Sequence, residues 1–213
     1  MQINVVPYPD FRPAIFKTVF PEPLRSFSSP AWLTALLNLN AEAPVSRSEE
    51  RRKAVRDLLR HQGYKPTGRG KPASEYLVKA AENERLSTIN APVDACNVVS
   101  LHSGFPISVV DMAKVSGSLS IKPGDAEDKY VFNLSGQEIS VAGLLCLHDD
   151  AGPCANAVKD SQRTKTSDDT TETLSIIWGL ESMADDVNAT LHWYTELLAK
   201  LGAETNIISL STL

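Results

Sequence analysis

Six consecutive residues near position 163 combine cations with hydroxyl groups, the side chains that most often hold an anion. The run Ser161-Gln162-Arg163-Thr164-Lys165-Thr166 contains two cations and three hydroxyl side chains. Arginine and lysine donate charge-assisted hydrogen bonds to carboxylates and phosphates, and neighbouring hydroxyl groups can donate further bonds. The run predicts a cradle for a carboxylate or phosphate, with a plain polar loop as the alternative on composition alone.

A second basic feature lies earlier in the chain. Ser46 or Ser48 can cap a helix that carries several arginines beside an apolar stripe, and the flexible loop Gly68-Arg69-Gly70-Lys71 follows it. Cations on such a surface bind backbone phosphates without reading sequence, whereas a solvated helix face and loop are the alternative. The residues predicted to contact RNA phosphates are Arg51, Arg52, Arg56, Arg69 and Lys71.

Other catalytic and metal-binding patterns are missing from the sequence. It contains no G-x-S-x-G motif, no Walker loop and no G-x-G-x-x-G motif. The three cysteines, Cys96, Cys146 and Cys154, have spacings of 50 and 8 residues, which match no zinc motif. His148-Asp149-Asp150 contains metal-ligating residue types, but a solvated turn is the commoner explanation of such a sequence. We therefore predict neither a metal site nor a cofactor.

The charge of the chain is polarised along its length. The 213 residues carry 21 basic and 26 acidic side chains, and a net charge of −5 argues against strong nonspecific binding to nucleic acid. Residues 47–85, however, hold 11 basic and 6 acidic side chains, whereas residues 125–213 hold 5 and 15. The positive segment is therefore a candidate face for a polyanion despite the negative total.

Composition predicts a globular cytoplasmic protein. A hydrophobic fraction of 42% is ordinary for a globular chain, and no apolar run reaches the ~20 residues that span a bilayer. The N-terminal residues 1–7 lack the basic and apolar regions of a secretory signal. An odd number of cysteines favours reduced thiols. We expect no membrane partner, and the sequence does not predict an oligomeric state.

Periodicity and turn residues predict the elements that position these side chains. Strands are predicted at 3–6, 14–20, 130–134, 139–141, 144–147, 173–178 and 206–210, and helices at 31–37, 74–81 and 92–101. A last helix would be capped by Ser182. Its apolar face comprises Val187, Leu191, Tyr194, Leu198 and Leu201.

This order of elements predicts the α/β class, of the α+β type, with a mixed or antiparallel central sheet and helices packed outside it. We predict a single domain over residues 1–213. An N-terminal extension with the basic segment (1–74) would precede a core (75–180), and a C-terminal helix and strand (181–213) would follow. The pocket is expected between the sheet and the helices.

The middle of the chain resembles a known family. Residues 89–101, which read Ile-Asn-Ala-Pro-Val-Asp-Ala-Cys-Asn-Val-Val-Ser-Leu, are followed by Gly104-Phe105-Pro106 and Asp111. Together with the turn Leu134-Ser135-Gly136, they resemble the editing domain of the bacterial phenylalanyl-tRNA synthetase beta chain, the B3/4 domain. Ser161-Gln162-Arg163-Thr164 resembles the S-x-R-T motif of free-standing members. The resemblance covers residues 75–180.

The resemblance implies a domain that binds the aminoacylated 3′ end of tRNA and removes a wrongly attached amino acid by ester hydrolysis. In the synthetase domain this amino acid is tyrosine. Editing is needed because a single binding pocket does not distinguish the wrong amino acid from the right one well enough. An ester is already activated, so a positioned water suffices. The implied pocket residues are Asn97, Ser100, Ser108, Arg163, Thr164 and Thr170.

Two positions depart from the family pattern. Ser108 aligns with a family histidine, and Ile176 aligns with a glutamate that recognises the tyrosine hydroxyl. An isoleucine cannot accept that hydrogen bond, so a different amino acid or a different ligand stays open.

Three functions follow from these observations. The first is a stand-alone, tRNA-binding editing-like domain that hydrolyses mischarged aminoacyl-tRNA in trans. The second is a noncatalytic RNA-binding module, and the third is a binder of a small molecule such as an amino acid or nucleotide. A chain of 213 residues leaves no room for a complete synthetase beta chain, so we do not expect it to charge tRNA.

Overall fold

The computed structural model describes residues 1–212, which form two main sheets, a hairpin and five α-helices. The strands are β1 (Ile3–Val5), β2 (Ala14–Val19), β3 (Ile107–Asp111), β4 (Ser120–Pro123), β5 (Lys129–Val131), β6 (Glu138–Ser140), β7 (Leu145–Asp149), β8 (Gly152–Asn156), β9 (Glu172–Ile177), β10 (Glu204–Ile207) and β11 (Leu210–Thr212). The helices are α1 (Ala31–Ala35), α2 (Glu49–Arg60), α3 (Ala73–Glu82), α4 (Ala91–Ser103) and α5 (Ala184–Lys200).

The two sheets differ in strand direction. The larger sheet has the order β11-β1-β4-β7-β8, in which β1 runs parallel to β11 and β4 and the other pairs are antiparallel. The smaller sheet has the order β10-β2-β9-β3 and is antiparallel throughout. The strands β5 and β6 pair only with each other. The predicted mixed α/β class is confirmed, with two sheets where one was expected.

Helix α4 lies at the centre of the molecule. Its N-cap Asn90 accepts a hydrogen bond from the Val93 N–H at 3.0 Å, Pro92 suits the first turn, and Gly104 ends the helix at φ 80°. Eleven of its 13 residues are buried, because α1, α3, α5 and β3 pack around it. The predicted helix at 92–101 is confirmed and extends slightly at both ends.

The C-terminal segment departs from the prediction at two points. Ser182 does not cap α5: the N-cap is Met183, and the Ser182 hydroxyl donates to the Asp10 carboxylate at 2.9 Å. Residues 206–210, predicted as one strand, are divided instead: β10 ends at Ile207, β11 begins at Leu210, and the two strands lie in different sheets. The chain therefore passes from the smaller sheet to the larger one at this point.

One apolar core unites the parts of the chain. Buried side chains from the predicted extension, core and C-terminal segments, such as Phe16, Val99 and Tyr194, belong to the same cluster. The Phe16 and Tyr194 rings meet edge to face at 5.0 Å, which fixes α5 against the smaller sheet. The predicted division at residues 74 and 180 stays a prediction, and Leu213 lies outside the described residues.

Candidate functional site

A pocket of about 370 Å³ opens between α4, β3 and the loop formed by residues 159–168. We call it the α4–β3 pocket, and the loop the pocket loop. The lining residues are Ile89, Asn90, Val93, Cys96 and Asn97 from α4 and the turn before it, Ile107 and Val109 from β3, and Asp160, Lys165, Thr166, Ser167 and Asp168 from the pocket loop. Its volume falls within the range of small-ligand pockets.

The pocket loop is tied to the larger sheet. The Ser161 N–H donates to the Cys154 carbonyl at 2.8 Å, and the Thr164 hydroxyl donates to the same carbonyl at 3.1 Å. The Ser161 hydroxyl in turn accepts the Arg163 N–H at 3.3 Å. These bonds satisfy polar groups that the loop would otherwise bury unpaired, so the loop holds a defined shape beside the pocket.

Asp160 contributes a buried carboxylate with a raised pKa to this pocket. Its carboxylate accepts hydrogen bonds from the Ser108 hydroxyl at 2.7 Å and from the Asn156 N–H at 3.3 Å. Protein atoms surround the carboxyl group, and this burial raises its pKa to about 6, although the hydrogen bonds and the nearby Lys165 oppose the shift. Asp160 is therefore ionised at neutral pH and basic enough to take a proton there.

Lys165 places a cation in the same pocket. Burial lowers the pKa of its ammonium group, while the charge of Asp160 raises it. The ammonium donates to the Phe132 carbonyl oxygen, its one hydrogen bond within residues 1–212. Since an ammonium carries three N–H donors, two remain for a ligand. The sequence does not single out Asp160, whereas Lys165 is one of the two cations in the run predicted to hold an anion.

The Cys96 thiol lines the pocket but is not activated. Burial raises its pKa to about 12, the opposite of the lowered pKa of catalytic thiols. Cys96 thus contributes apolar wall, as do its neighbours Val93, Ile107 and Val109.

Asn97 is the one predicted pocket residue that lines the α4–β3 pocket. Ser108 lies behind the wall instead: its hydroxyl donates to Asp160 and accepts the Trp178 indole N–H at 2.9 Å. The Ser108 hydroxyl is fully engaged in the core, and its effect on the pocket is to hold the carboxylate of Asp160 in place.

Three other predicted pocket residues make internal hydrogen bonds away from the pocket. The Ser100 hydroxyl donates to the Phe105 carbonyl at 2.7 Å, at the end of α4. The Thr170 hydroxyl donates to the Asp111 carboxylate at 2.6 Å, and the Thr164 hydroxyl is bonded in the pocket loop as described above. All three are buried, so in this structure they shape the walls rather than face a ligand.

Arg163 also points away from the pocket, into a two-pronged ion pair. Its guanidinium donates to both carboxylate oxygens of Asp149, at 2.7 and 2.8 Å. Burial by itself would raise the pKa of the fully buried Asp149 carboxyl, but the bonds from Arg163 and from the Ser116 and Ala151 N–H groups outweigh it and lower that pKa. The arginine of the predicted anion cradle is thus occupied by a carboxylate of the protein itself.

Of the five residues predicted to contact RNA phosphates, three are buried or paired with a carboxylate, and two line surface clefts. Arg51 is 5% exposed and inside the protein, and Arg56 forms a two-pronged ion pair with Glu75. Arg52 is exposed but pairs with Glu49 at 2.9 Å. Arg69 and Lys71 line two separate surface clefts.

The sequence profile of the B3/4 domain family, described simply as "B3/4 domain", matches residues 65–184, more than half of the chain. The protein belongs to the B3/4 domain family. This confirms the resemblance drawn from the residues between 75 and 180, and it places α4, β3 and the pocket loop inside the matched segment.

Relatives of this B3/4 domain include beta subunits of phenylalanine–tRNA ligase. That of Brucella suis biovar 1 is 25% identical over 140 residues, which are 65% of this chain and 16% of that subunit. That of Shewanella oneidensis is 33% identical over 73 residues, 34% of this chain and 9% of that subunit. The matched segments thus span less than a fifth of either subunit.

The fold of this B3/4 domain is also found in a solved structure. A crystal structure of an N-terminal fragment of the phenylalanyl-tRNA synthetase beta subunit from Pyrococcus horikoshii aligns with 99% of this chain and 52% of that chain, with a TM-score of 0.50. The identity is 12%, so this likeness concerns the fold alone.

Ser108 and Ile176, the two positions at which the resemblance predicts departures from the family pattern, are neighbours in the structure. Ser108 on β3 and Ile176 on β9 pair directly across the antiparallel ladder, so their side chains share one face of the smaller sheet. Both are buried, and neither lines the α4–β3 pocket. Ile176 also pairs with Ile15 on β2, on its other side, so Ile176 lies in the core between two strands.

Two features of this B3/4 domain bear on metals and membranes. Within residues 1–212, no three His, Cys, Asp or Glu side chains converge as a metal site requires. Of the three residues considered for a metal, Asp149 pairs with Arg163, and burial lowers the pKa of His148. Over the same range, no helix has both the length and the apolar character that crossing a bilayer demands.

Replacing Arg163 by glutamine should make this B3/4 domain more sensitive to acid. The pKa of Asp149 is lower in the folded protein than the value of about 3.9 in the unfolded chain, so its ionisation stabilises the fold. This contribution is fully present above the unfolded-state pKa and is lost as pH falls through the folded-state pKa. Without the guanidinium the folded pKa rises, so the acid-unfolding midpoint should move to higher pH. At pH 7 we expect a loss of about 2 kcal/mol, because a buried carboxylate loses two of its bonds.

Circular dichroism during an acid titration measures this shift. The matched control is Arg12→Gln, which breaks an exposed ion pair with Glu181 and should change stability by less than about 1 kcal/mol. An acid midpoint that is the same in wild type and Arg163→Gln would contradict the structural role given to this pair.

Proposed function

We propose that this protein is a free-standing, tRNA-binding editing-like domain that hydrolyses mischarged aminoacyl-tRNA in trans. The observation that carries the proposal is the α4–β3 pocket, where a carboxylate with a pKa of about 6 and a half-buried ammonium line one cavity in a B3/4 domain. The named relatives are subunits of phenylalanine–tRNA ligases, which makes an aminoacylated tRNA the substrate to consider first. A cytoplasmic location follows from such a substrate.

In the proposed step, Asp160 acts as the general base. Its carboxylate takes a proton from a water molecule, and the water oxygen attacks the carbonyl carbon of the aminoacyl ester. The bond between that carbon and the ribose oxygen then breaks, and the ribose oxygen receives the proton back from Asp160. The products are the free amino acid and the tRNA hydroxyl, and no other reactant is consumed.

Two further residues assist this step in the proposal. The Lys165 ammonium stabilises the negative charge that develops on the carbonyl oxygen, because it lines the pocket and retains N–H donors there. Asn97, with both a donor and an acceptor on its side chain, orients the water or the α-amino group of the substrate.

The pocket favours a small or medium apolar amino acid over tyrosine. Its walls include the apolar side chains Val93, Ile107 and Val109, and Ile176, which the resemblance aligns with the glutamate that recognises a tyrosine hydroxyl, lies outside the cavity. The pocket thus has no counterpart of that glutamate, and leaving a phenolic hydroxyl unpaired would oppose binding.

A noncatalytic RNA-binding module is the second candidate function. The observation that favours it is the loss of the family histidine and glutamate at Ser108 and Ile176, whose side chains are enclosed in the core. In that case the α4–β3 pocket would bind the end of an RNA, or an amino acid or nucleotide alone, without turnover.

Incubation with a panel of misacylated tRNAs separates these functions. We expect at least one tRNA bearing a small or medium apolar amino acid to be deacylated faster than in buffer, with more than one amino acid released per protein molecule. Release at the buffer rate for every member of the panel, together with measurable tRNA binding, would refute hydrolysis and leave the binding module.

A further inference from the structure

A second cleft, of about 410 Å³, lies between the glycine-containing loop 63–71 and the β5–β6 hairpin. Two aromatic rings, Tyr64 and Phe132, and two cations, Arg69 and Lys159, line it. We call it the Tyr64–Phe132 cleft. Gly70 lets the Tyr64 ring lie against the loop, because a Cβ atom there would collide with the Tyr64 hydroxyl oxygen.

The cations of this cleft have no carboxylate partners. Within residues 1–212, none of the ion pairs includes Arg69 or Lys159. The acidic residue of the cleft, Glu138, is paired with Lys129 at 3.0 Å. The Lys159 ammonium lies 3.9 Å from the centre of the Phe132 ring. The cleft therefore presents uncompensated positive charge beside aromatic surface.

A third cation lies close to these two. Burial lowers the pKa of Lys159, and the positive charges of Arg69 and Lys165 lower it further, because each of them repels the Lys159 ammonium. Such a cluster is stabilised when an anion binds between its members. This is in contrast to Arg52, Arg56 and Arg163, each of which is neutralised by a carboxylate of the protein.

The combination of charge and aromatic surface indicates the chemistry of the ligand. Inorganic phosphate or an acidic peptide would use the cations but not the rings. A single-stranded nucleic acid uses both, because its phosphates pair with cations while its bases stack on aromatic side chains. We propose that the Tyr64–Phe132 cleft binds a nucleotide of single-stranded RNA, with the base against Tyr64 and Phe132 and the phosphate on Arg69 and Lys159.

The position of the cleft suggests that it binds a nucleotide close to the aminoacylated 3′ end. Lys159 lines the cleft and the next residue, Asp160, lines the α4–β3 pocket. Lys165 of the pocket donates to the carbonyl oxygen of Phe132, a residue of the cleft. The two cavities are therefore adjacent. This assignment rests on the proposed function: with the aminoacylated 3′ end in the pocket, the strand continues into the cleft.

The test uses RNA that carries no amino acid, so its result does not depend on hydrolysis. A fluorescent oligoribonucleotide ending in CCA is titrated with the full chain at several salt concentrations. The double variant Arg69→Gln/Lys159→Gln should bind at least about tenfold more weakly, and the slope of log affinity against log salt should decrease by about 1.4, that is about 0.7 for each of two phosphate contacts. Both side chains reach the surface, and a thermal melt verifies that the variant is folded.

Lys53→Gln is the matched control, because Lys53 is an exposed cation on α2 outside both cavities. It should leave affinity within about twofold and the salt slope nearly unchanged. An abasic strand of the same length tests stacking, and wild type should bind it about tenfold more weakly than the RNA.

Four results would overturn the proposal: no binding of the RNA by wild type, equal affinity and salt slope in the folded double variant, equal affinity for the abasic strand, or preferred binding of polyglutamate. Loss of affinity in the double variant together with no deacylation of any misacylated tRNA would support the cleft and refute the editing function. If the double variant deacylates tRNA as fast as wild type and binds the RNA with unchanged affinity, the editing function is supported and the RNA-binding role of the cleft is refuted.

Discussion

Substituting asparagine for Asp160 should reduce the rate of deacylation of the responsive tRNA by at least about a hundredfold, while tRNA affinity stays within about threefold. The magnitude is that of losing a general base, because an amide cannot take a proton from water. Single-turnover release of a radiolabelled amino acid gives the rate, and filter binding gives the affinity. Circular dichroism establishes that the variant is folded, since Asp160 also accepts bonds from Ser108 and Asn156.

The pH dependence provides a readout that a purely structural role would not change. Burial raises the pKa of Asp160 to about 6, so its basic form is lost as pH falls through that value. The wild-type rate should therefore decrease below about pH 6 after subtraction of the uncatalysed rate. The residual rate of Asp160→Asn should show no such step.

Asp169→Asn serves as the matched control for this experiment. Asp169 is an exposed aspartate nine residues further along the chain, where it pairs with Arg25 on the surface. Its amide variant should retain the wild-type rate and pH profile. A wild-type rate in Asp160→Asn, or an equal loss in both variants, would remove Asp160 from the mechanism.

Alanine at Arg51 should produce the largest loss of stability among the arginine variants, about 3 kcal/mol in the free energy of unfolding. The guanidinium donates to the carbonyl oxygens of Ser46 and Ser103, pairs with Asp186 at 2.7 Å and lies 4.7 Å from the centre of the Phe105 ring. Its removal leaves a buried carbonyl without its donor and a void beside the ring. Urea unfolding measures the difference through the transition midpoint.

The adjacent Arg52 provides the control for Arg51. It pairs with Glu49 on the surface one turn of α2 away, and its replacement by alanine should cost no more than about 0.5 kcal/mol. Equal stability of the Arg51→Ala and Arg52→Ala proteins would contradict the buried position of Arg51. A salt-dependent loss of RNA affinity in folded Arg51→Ala would restore Arg51 as a phosphate contact.

The sequence predicts those features that depend on local signals. The start and end of α4 follow from Asn90, Pro92 and Gly104, each of which acts within one turn of the helix. Family membership likewise follows from the residues of a continuous stretch, 89–111, with the later motifs. The fold class follows because alternating and helical periodicities are local properties of the chain.

The sequence does not predict which polar residues face the pocket, because this depends on partners distant in the chain. Burial raises the pKa of Asp160, and the Ser108 hydroxyl, which opposes this rise by donating to the carboxylate, lies about fifty residues earlier in the chain. Arg51 and Arg52 are the same residue type in one helix, yet only the first is enclosed by the end of α4 and by Asp186 of α5. Residue type alone cannot distinguish the buried Arg51 from the exposed Arg52, whereas the three-dimensional packing does.

The run 161–166, predicted to hold an anion, illustrates the same division. Its polar residue types predict a loop, and Lys165 of that run lines the α4–β3 pocket. Arg163, two residues earlier, turns instead to the buried Asp149. The sequence does not predict these directions, because Arg163 lies in a single 3₁₀ turn (Gln162–Thr164) and Lys165 follows it in an extended conformation, so no one period relates the two side chains.

The most direct test of the account is a crystal structure of the protein with an adenosine that carries its amino acid through a stable 3′-amide instead of the ester. We predict that the amino acid occupies the α4–β3 pocket, with its carbonyl group between the Asp160 carboxylate and the Lys165 ammonium. A complex in which the analogue binds elsewhere and leaves this pocket to water would contradict the account.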